Sequence, residues 1–237
     1  LGIVLVLAAA VLFLVQILIF HDPRNTFFYL FQDLAFIPFQ VLLVTLILNR
    51  LLSVREKQAM LQKMNMVIGV FFNQVGVGLL QRFIAFDRDP GRLRDLLASA
   101  REWPPARFQR EMRELRHAIH AMDAGRADLG ALKVFLLDQR DFLLRLLENA
   151  NLLEHETFTD LLWAVFHLAD ELDHRPDVTV LAPADADHLA LDMARAYQLL
   201  LVEWLAYMVH LKENYPYLFS LALRTNPFDP DARVEMG

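Results

Sequence analysis

The densest run of ligand-type side chains in this sequence is HETFTDLLWAVFHLADELDH, residues 155–174, which holds three histidines and five carboxylates. It closes on Glu171-x-x-His174, and Glu114-x-x-His117 repeats the spacing. Residues three apart share a helix face, and helical di-metal sites combine two such pairs with one carboxylate from each of two further helices. Glu148 and Glu203 are available for that role. Periodicity argues against the arrangement. If Phe108, Met112, Leu115, Ile119 and Met122 form the inward stripe of one helix, Glu114 and His117 point the other way, beside Glu111 and Arg110.

The second pair meets the same objection. Phe158, Leu161, Leu162, Val165, Leu168, Ala169 and Leu172 define one face, and His174 lies opposite, near a helix C-terminus whose dipole favours imidazolium. His167 shares the back face with Trp163, Phe166 and Asp170, the setting of a half-buried, hydrogen-bonded histidine at a helix contact. His167, Asp170, Glu171 and His174 are therefore candidate metal ligands, but the spacing favours a two-sided helix over a metal site. No bound metal and no cofactor are expected.

A third constellation, Glu203, Tyr207 and His210, runs along the flank of the stripe Leu189, Met193, Leu200, Trp204, Met208 and Leu211. Such a line is either a pocket wall or a satisfied polar chain, and the chain is favoured. No P-loop, G-x-G-x-x-G, G-x-S-x-G, H-E-x-x-H or EF-hand pattern is present, so an enzyme is not the first reading.

These residues need elements to position them, and those elements begin in a membrane-like segment. Of 237 residues 56% are hydrophobic, above the average for soluble domains. Residues 1–20 carry no charge and only Gln16 as a polar side chain, long enough at 1.5 Å per residue to cross a ~30 Å hydrocarbon core. A second run, about 34–51, is uncharged until Arg50 and is entered through the aromatics FFYLF. The first run is too long for the apolar part of a signal peptide and a second follows at once, so an anchoring hairpin is expected. The sequence opens without Met, and orientation is read from the loops. Arg24 stands alone in the turn, while Arg50, Arg55, Lys57 and Lys63 crowd the exit, which predicts a cytoplasmic remainder. Zero cysteines fit a reducing compartment and many others.

Beyond residue 51 every periodic segment reads as helix. The second span continues to about residue 86, with Val54, Leu61, Ile68 and Val75 at seven-residue spacing and Met64 and Phe71 between; glycines 69, 76 and 78 favour a buried first helix over a coiled coil. Helices follow at about 91–102, 105–123, 127–149 (ending near Asn149–Asn151), 155–173 and 185–214, with a short one at PYLFSLAL. The expected class is all-α: a two-helix transmembrane hairpin (1–51), a membrane-exit stalk and first bundle helix (52–86), a cytoplasmic helical domain (87–225) and a tail (226–237).

Charge divides the part beyond residue 50. Residues 51–133 carry net +5 and residues 134–237 net −11. Arg107, Arg110, Arg113 and Arg116 are candidate contacts for anionic lipid, but interleaved acids make a solvated, ion-paired face the blander reading. An acidic domain without a recognition motif is a poor nucleic-acid partner.

The stretches ENANLLEHETFTDLLWAVFHLADEL (148–172), HLKENYPYLFSLALRTNPF (210–228) and FQDLAFIPFQVLLVTLILNRLLSVREK (31–57) resemble an uncharacterised family of bacterial inner-membrane proteins with an N-terminal two-helix hairpin. The resemblance covers most of the chain. It implies membrane localisation and the two-part layout, and carries no activity, cofactor or catalytic residue. The leading expectation is a membrane-anchored cytoplasmic helical domain that binds an unknown protein partner or relays a signal. The alternatives are a homo-oligomeric pore or transport component, with Pro38, Gln40, Thr45 and Asn49 on its contact side, and a metal-dependent enzyme.

Overall fold

A computed structural model of the chain describes residues 2–118, 120–150, 152, 155–229 and 232, with their side chains except at 56–59, 61, 62 and 98. The expected stripe member Ile119, the heptad side chain Leu61, the helix-end residue Asn151 and most of the 226–237 tail lie outside the described residues. The chain is all-α, and the described residues include no strand. It divides into two compact units, Leu1–Ala59 and Met60–Gly237.

In the first unit, α1 (Gly2–Phe20) has no buried residue. The chain turns at His21, whose φ of 51° is left-handed, and starts again at Pro23. Asp22 caps the new helix: its Oδ1 accepts from Asn25 N at 3.2 Å and its Oδ2 from Asn25 Nδ2 at 2.8 Å. Proline suits the next position because a first-turn N–H has no intrahelical acceptor. The helix so begun, α2 (Pro23–Phe71), starts in the first unit and ends in the second.

Among the described residues, three helical stretches are long and apolar enough to cross a membrane: Gly2–Phe20, Pro23–Arg55 and Lys63–Phe86. The first two have none of their apolar window buried, whereas 56% of the third is buried inside the second unit, which makes it core by packing. Met64, Ile68, Phe71, Phe72, Val75 and Leu79 are its buried line. The helix widens to a π turn at Phe72–Gly76 and continues as α3 (Val77–Phe86).

The second unit then runs through α4 (Pro90–Ala98), a short 3₁₀ turn, α5 (Pro105–His117), α6 (Leu129–Asp138), α7 (Arg140–Leu147), α8 (Glu156–Asp173), α9 (Pro183–Asn214) and α10 (Pro216–Arg224). Helix α9 is the centre, packed against α8, α5, α10 and α3, because its apolar residues are buried over most of its circumference.

Two expected helices are shorter than their periodicity predicts. The 105–123 helix stops at His117: Ala118 turns extended (ψ 137°) and residues 121–123 pair with 86–88 through Arg88 N to Ala121 O (2.9 Å) and Asp123 N to Phe86 O (3.0 Å). Met122 is therefore buried from an extended segment, not from a helical stripe. The 127–149 helix breaks at Gln139, whose N–H bonds back only three residues to Leu136 O at 3.2 Å.

Candidate functional site

Helices α8 and α9 form an antiparallel hairpin: Glu171 late in α8 faces His188 early in α9, while Thr157 at the start of α8 neighbours Glu203. The apolar stripes of both helices drive this pairing, and they leave one shared polar edge. There the i,i+4 pairs His167/Glu171 of α8 and His188/Asp192 of α9 converge. His167 Nε2 and His188 Nε2 each stand 3.4 Å from Asp192 Oδ2. His188 Nε2 is 3.7 Å from Glu171 Oε2, and His167 Nε2 is 4.0 Å from Glu171 Oε1. The ligand atoms of His167, Glu171 and His188 all lie within 4.8 Å of one another.

The four side chains differ in depth. The imidazoles of His167 and His188 are about half exposed, Glu171 is partly buried and Asp192 is 5% exposed. Asp192 Oδ2 is buried and has no hydrogen-bond partner among the described residues. Each carboxylate is steadied from outside. Arg175 Nη1 donates to Glu171 Oε2 at 2.6 Å, and Arg195 Nη1 stands 3.6 Å from Asp192 Oδ1. That hydrogen bond from Arg175 holds the Glu171 carboxyl below its ordinary value, against some desolvation. Asp185 in turn pairs with Arg175 at 3.5 Å.

The other sequence candidates go elsewhere. Asp170 pairs with Arg140 at 2.8 Å, outside the cluster, and His174 sits exposed with Nδ1 2.8 Å from Asp170 O. Glu114 and His117 are exposed, whereas Glu111, expected on the solvent side with them, is buried because Arg110 (2.9 Å) and Arg107 (3.7 Å) cover its charge. Thus two of the four arginines marked for lipid are occupied by Glu111, while Arg113 and Arg116 are exposed.

Glu203, Tyr207 and His210 are not one chain. Burial pushes the Glu203 carboxyl up, opposed by the Thr157 hydroxyl, His155 and Arg116. Tyr207 stacks on Phe72 and borders a pocket of about 90 Å³. His210 Nδ1 meets Asn65 Nδ2 at 3.1 Å and Asn214 Nδ2 at 3.2 Å.

A second polar pocket, of about 140 Å³, opens among Asp87, Arg92, Glu111, Glu114 and His120. Asp87 Oδ2, His120 Nε2 and the Tyr197 hydroxyl beside it are buried without hydrogen-bond partners among the described residues. Asp87 is also tied into the turn that follows α3, its Oδ1 accepting from Asp89 N at 2.9 Å. Burial pushes the His120 imidazole down and the Tyr197 phenol up.

Comparison with known proteins places this architecture. The family model described as "Uncharacterized protein MJ1433, C-terminal helical domain" matches residues 60–224, and that described as "MJ1433, N-terminal helical domain" matches residues 1–52. The chain belongs to the MJ1433 family. The protein of that name from Methanocaldococcus jannaschii is 46% identical over 228 residues, covering 96% of this chain and 92% of the relative. That relative is archaeal, and the family descriptions name helical domains without an activity. No solved structure matches.

Within this MJ1433 family chain, the sequence singled out His167 and Glu171 but missed His188 and Asp192. The legible signal was a pair of His-x-x-x-acid spacings, 167/171 and 188/192, which places imidazole and carboxylate one helical turn apart on each helix. The Glu-x-x-His spacing drew attention instead to His174, on the wrong side of α8.

Proposed function

We propose that this chain is a membrane-anchored helical domain that acts by protein interaction or signal relay from the cytoplasmic side. One observation carries the reading: α1 and the Pro23–Arg55 part of α2 have mean hydropathies of 3.2 and 1.9 with none of that apolar surface buried. Burial of each Leu, Ile, Val or Phe side chain is worth ~1.5–3 kcal/mol, so two helices left bare in water would forgo tens of kcal/mol that a bilayer supplies. Bases at Arg50, Arg55, Lys57 and Lys63 support a cytoplasmic exit. The archaeal relative favours a general cytoplasmic membrane over a specifically bacterial one. Relay is supported by chain order, since the apolar N-terminal helices lead directly into the second unit. A π turn follows α2, a local widening often found at functional positions.

The test is the full chain with a reporter active only outside the cytoplasm, fused after Gly237 or inserted in the 21–26 turn. Carbonate-resistant membrane association, a silent C-terminal fusion and an active turn insertion are expected. Recovery in the soluble fraction, or an active C-terminal fusion, would overturn the reading.

A further inference from the structure

We propose that the α8–α9 edge is a binding site for one divalent transition-metal ion of the zinc class, held by His167, Glu171, His188 and Asp192. Zinc bonds imidazole nitrogen and carboxylate oxygen at ~2.0–2.2 Å, and a tetrahedron with such bonds has edges of about 3.3–3.6 Å. Among the donors left for an ion, His167 Nε2 and His188 Nε2 each stand 3.4 Å from Asp192 Oδ2, and His167 Nε2 stands 4.0 Å from Glu171 Oε1, at or slightly beyond those edges; His188 Nε2 approaches Glu171 through its other oxygen, Oε2, at 3.7 Å. An octahedral oxygen site for magnesium would have shorter edges, ~3 Å, and would not choose two imidazoles.

Two further observations separate this from an ordinary ion-pair cluster. Both imidazole nitrogens lie within hydrogen-bond distance of Asp192 Oδ2, yet neither makes a hydrogen bond to it. Nitrogens aimed at a shared point between the ligands produce that combination of short distance and poor alignment. Asp192 is also buried at this edge with Oδ2 unpartnered, a cost a protein structure rarely leaves standing. A cation at the shared point satisfies it and draws a bond from each helix.

The surroundings fit a closed, structural type of site. Arg175 and Arg195 lie against Oε2 of Glu171 and Oδ1 of Asp192, which leaves Oε1 and Oδ2 for the ion and fixes the carboxylate planes, the office of outer-shell partners. The half-exposed imidazoles form the entry from solvent. Bound by side chains of both helices, the ion clamps α8 to α9 on either side of the 174–182 linker. This replaces the expectation from sequence that no metal is retained.

The full chain, purified without a histidine tag in detergent and stripped with chelator, is to be titrated with cobalt(II). One equivalent with the intense visible absorption of tetrahedral cobalt, displaced by zinc, is expected. His167→Ala and His188→Ala remove half-exposed side chains and are expected to keep the helical circular dichroism. Each should weaken binding beyond the ~10–100-fold that loss of an outer-shell partner brings, and Arg175→Gln should fall within that range. His117→Ala and His174→Ala should bind as the parent does. No uptake at micromolar cobalt, an octahedral spectrum, or uptake indifferent to both His167→Ala and His188→Ala would overturn the proposal.

Discussion

Phe72 and Tyr207 stack in near-parallel planes, ring centroids 5.1 Å apart and planes 10° from parallel. The contact locks the π turn after α2 onto α9, and Gly76 makes room for it. A Cβ on Gly76 would stand 2.5 Å from Phe72 Cδ1 and 3.1 Å from Phe71 Cε1. Both rings are fully buried and cannot swing aside. Gly76→Ala is expected to destabilise the protein by ~1–3 kcal/mol through overpacking, despite alanine's better helix propensity. At Gly91 in α4 the nearest atom to an added Cβ is 3.8 Å away, so Gly91→Ala should raise stability by ~0.5–1 kcal/mol. Thermal melts of the two variants that move in the same direction would show that the ring stack yields.

Glu203 offers a pH signature. Its carboxyl is pushed up by burial, so the folded protein holds the proton more tightly than the unfolded chain does. The favourable contribution is full below the ordinary glutamate value, ~4.3, and is lost as pH rises through the folded value. Glu203→Gln should therefore raise the melting temperature at pH 7 and lose that advantage near pH 4. A variant less stable than the parent at pH 7 would mean that the charged carboxylate is held by its neighbours.

His120 has the opposite sign. Burial pushes its imidazole down, with Asp87 raising and Arg92 lowering it further, so the folded state binds fewer protons than the unfolded one. Its contribution is full above the ordinary histidine value, ~6.5, and fades as pH falls through it. The drop in melting temperature from pH 7 to pH 5 should be shallower in His120→Gln than in the parent. Parallel slopes would show that the imidazole protonates as freely folded as unfolded.

The expectation of lipid contact by the basic half divides by residue. Arg107 and Arg110 are engaged with Glu111, while Arg113 and Arg116 make no ion pair among the described residues. Each free base near an anionic surface offers ~1 kcal/mol, screened beyond ~8 Å at physiological salt. The Met60–Gly237 unit should show weak, salt-sensitive co-sedimentation with anionic vesicles. Changing Arg113 and Arg116 to Gln should weaken it roughly tenfold, and changing Arg107 and Arg110 should weaken it less. Equal losses, or binding to neutral vesicles alone, would leave the charge division as a solubility feature.

Local pattern alone determined the helical class, the two bare apolar helices and the buried faces of α8 and α9, because each depends on residues within one or two helical turns. It also placed His167 and Glu171 on one side of α8. What it misplaced depended on partners distant in sequence. The 105–123 helix ended early because residues 121–123 found backbone partners at 86–88, and Glu111 was buried because Arg107 and Arg110 could fold over it. The candidate site is of the same kind. His167-x-x-x-Glu171 and His188-x-x-x-Asp192 are each legible as one turn of helix, but whether two such turns meet depends on how the linker closes and on the rotation of each helix about its axis. Packing of the two apolar stripes sets that rotation, and only the tertiary structure decides that the polar edges left over face one another.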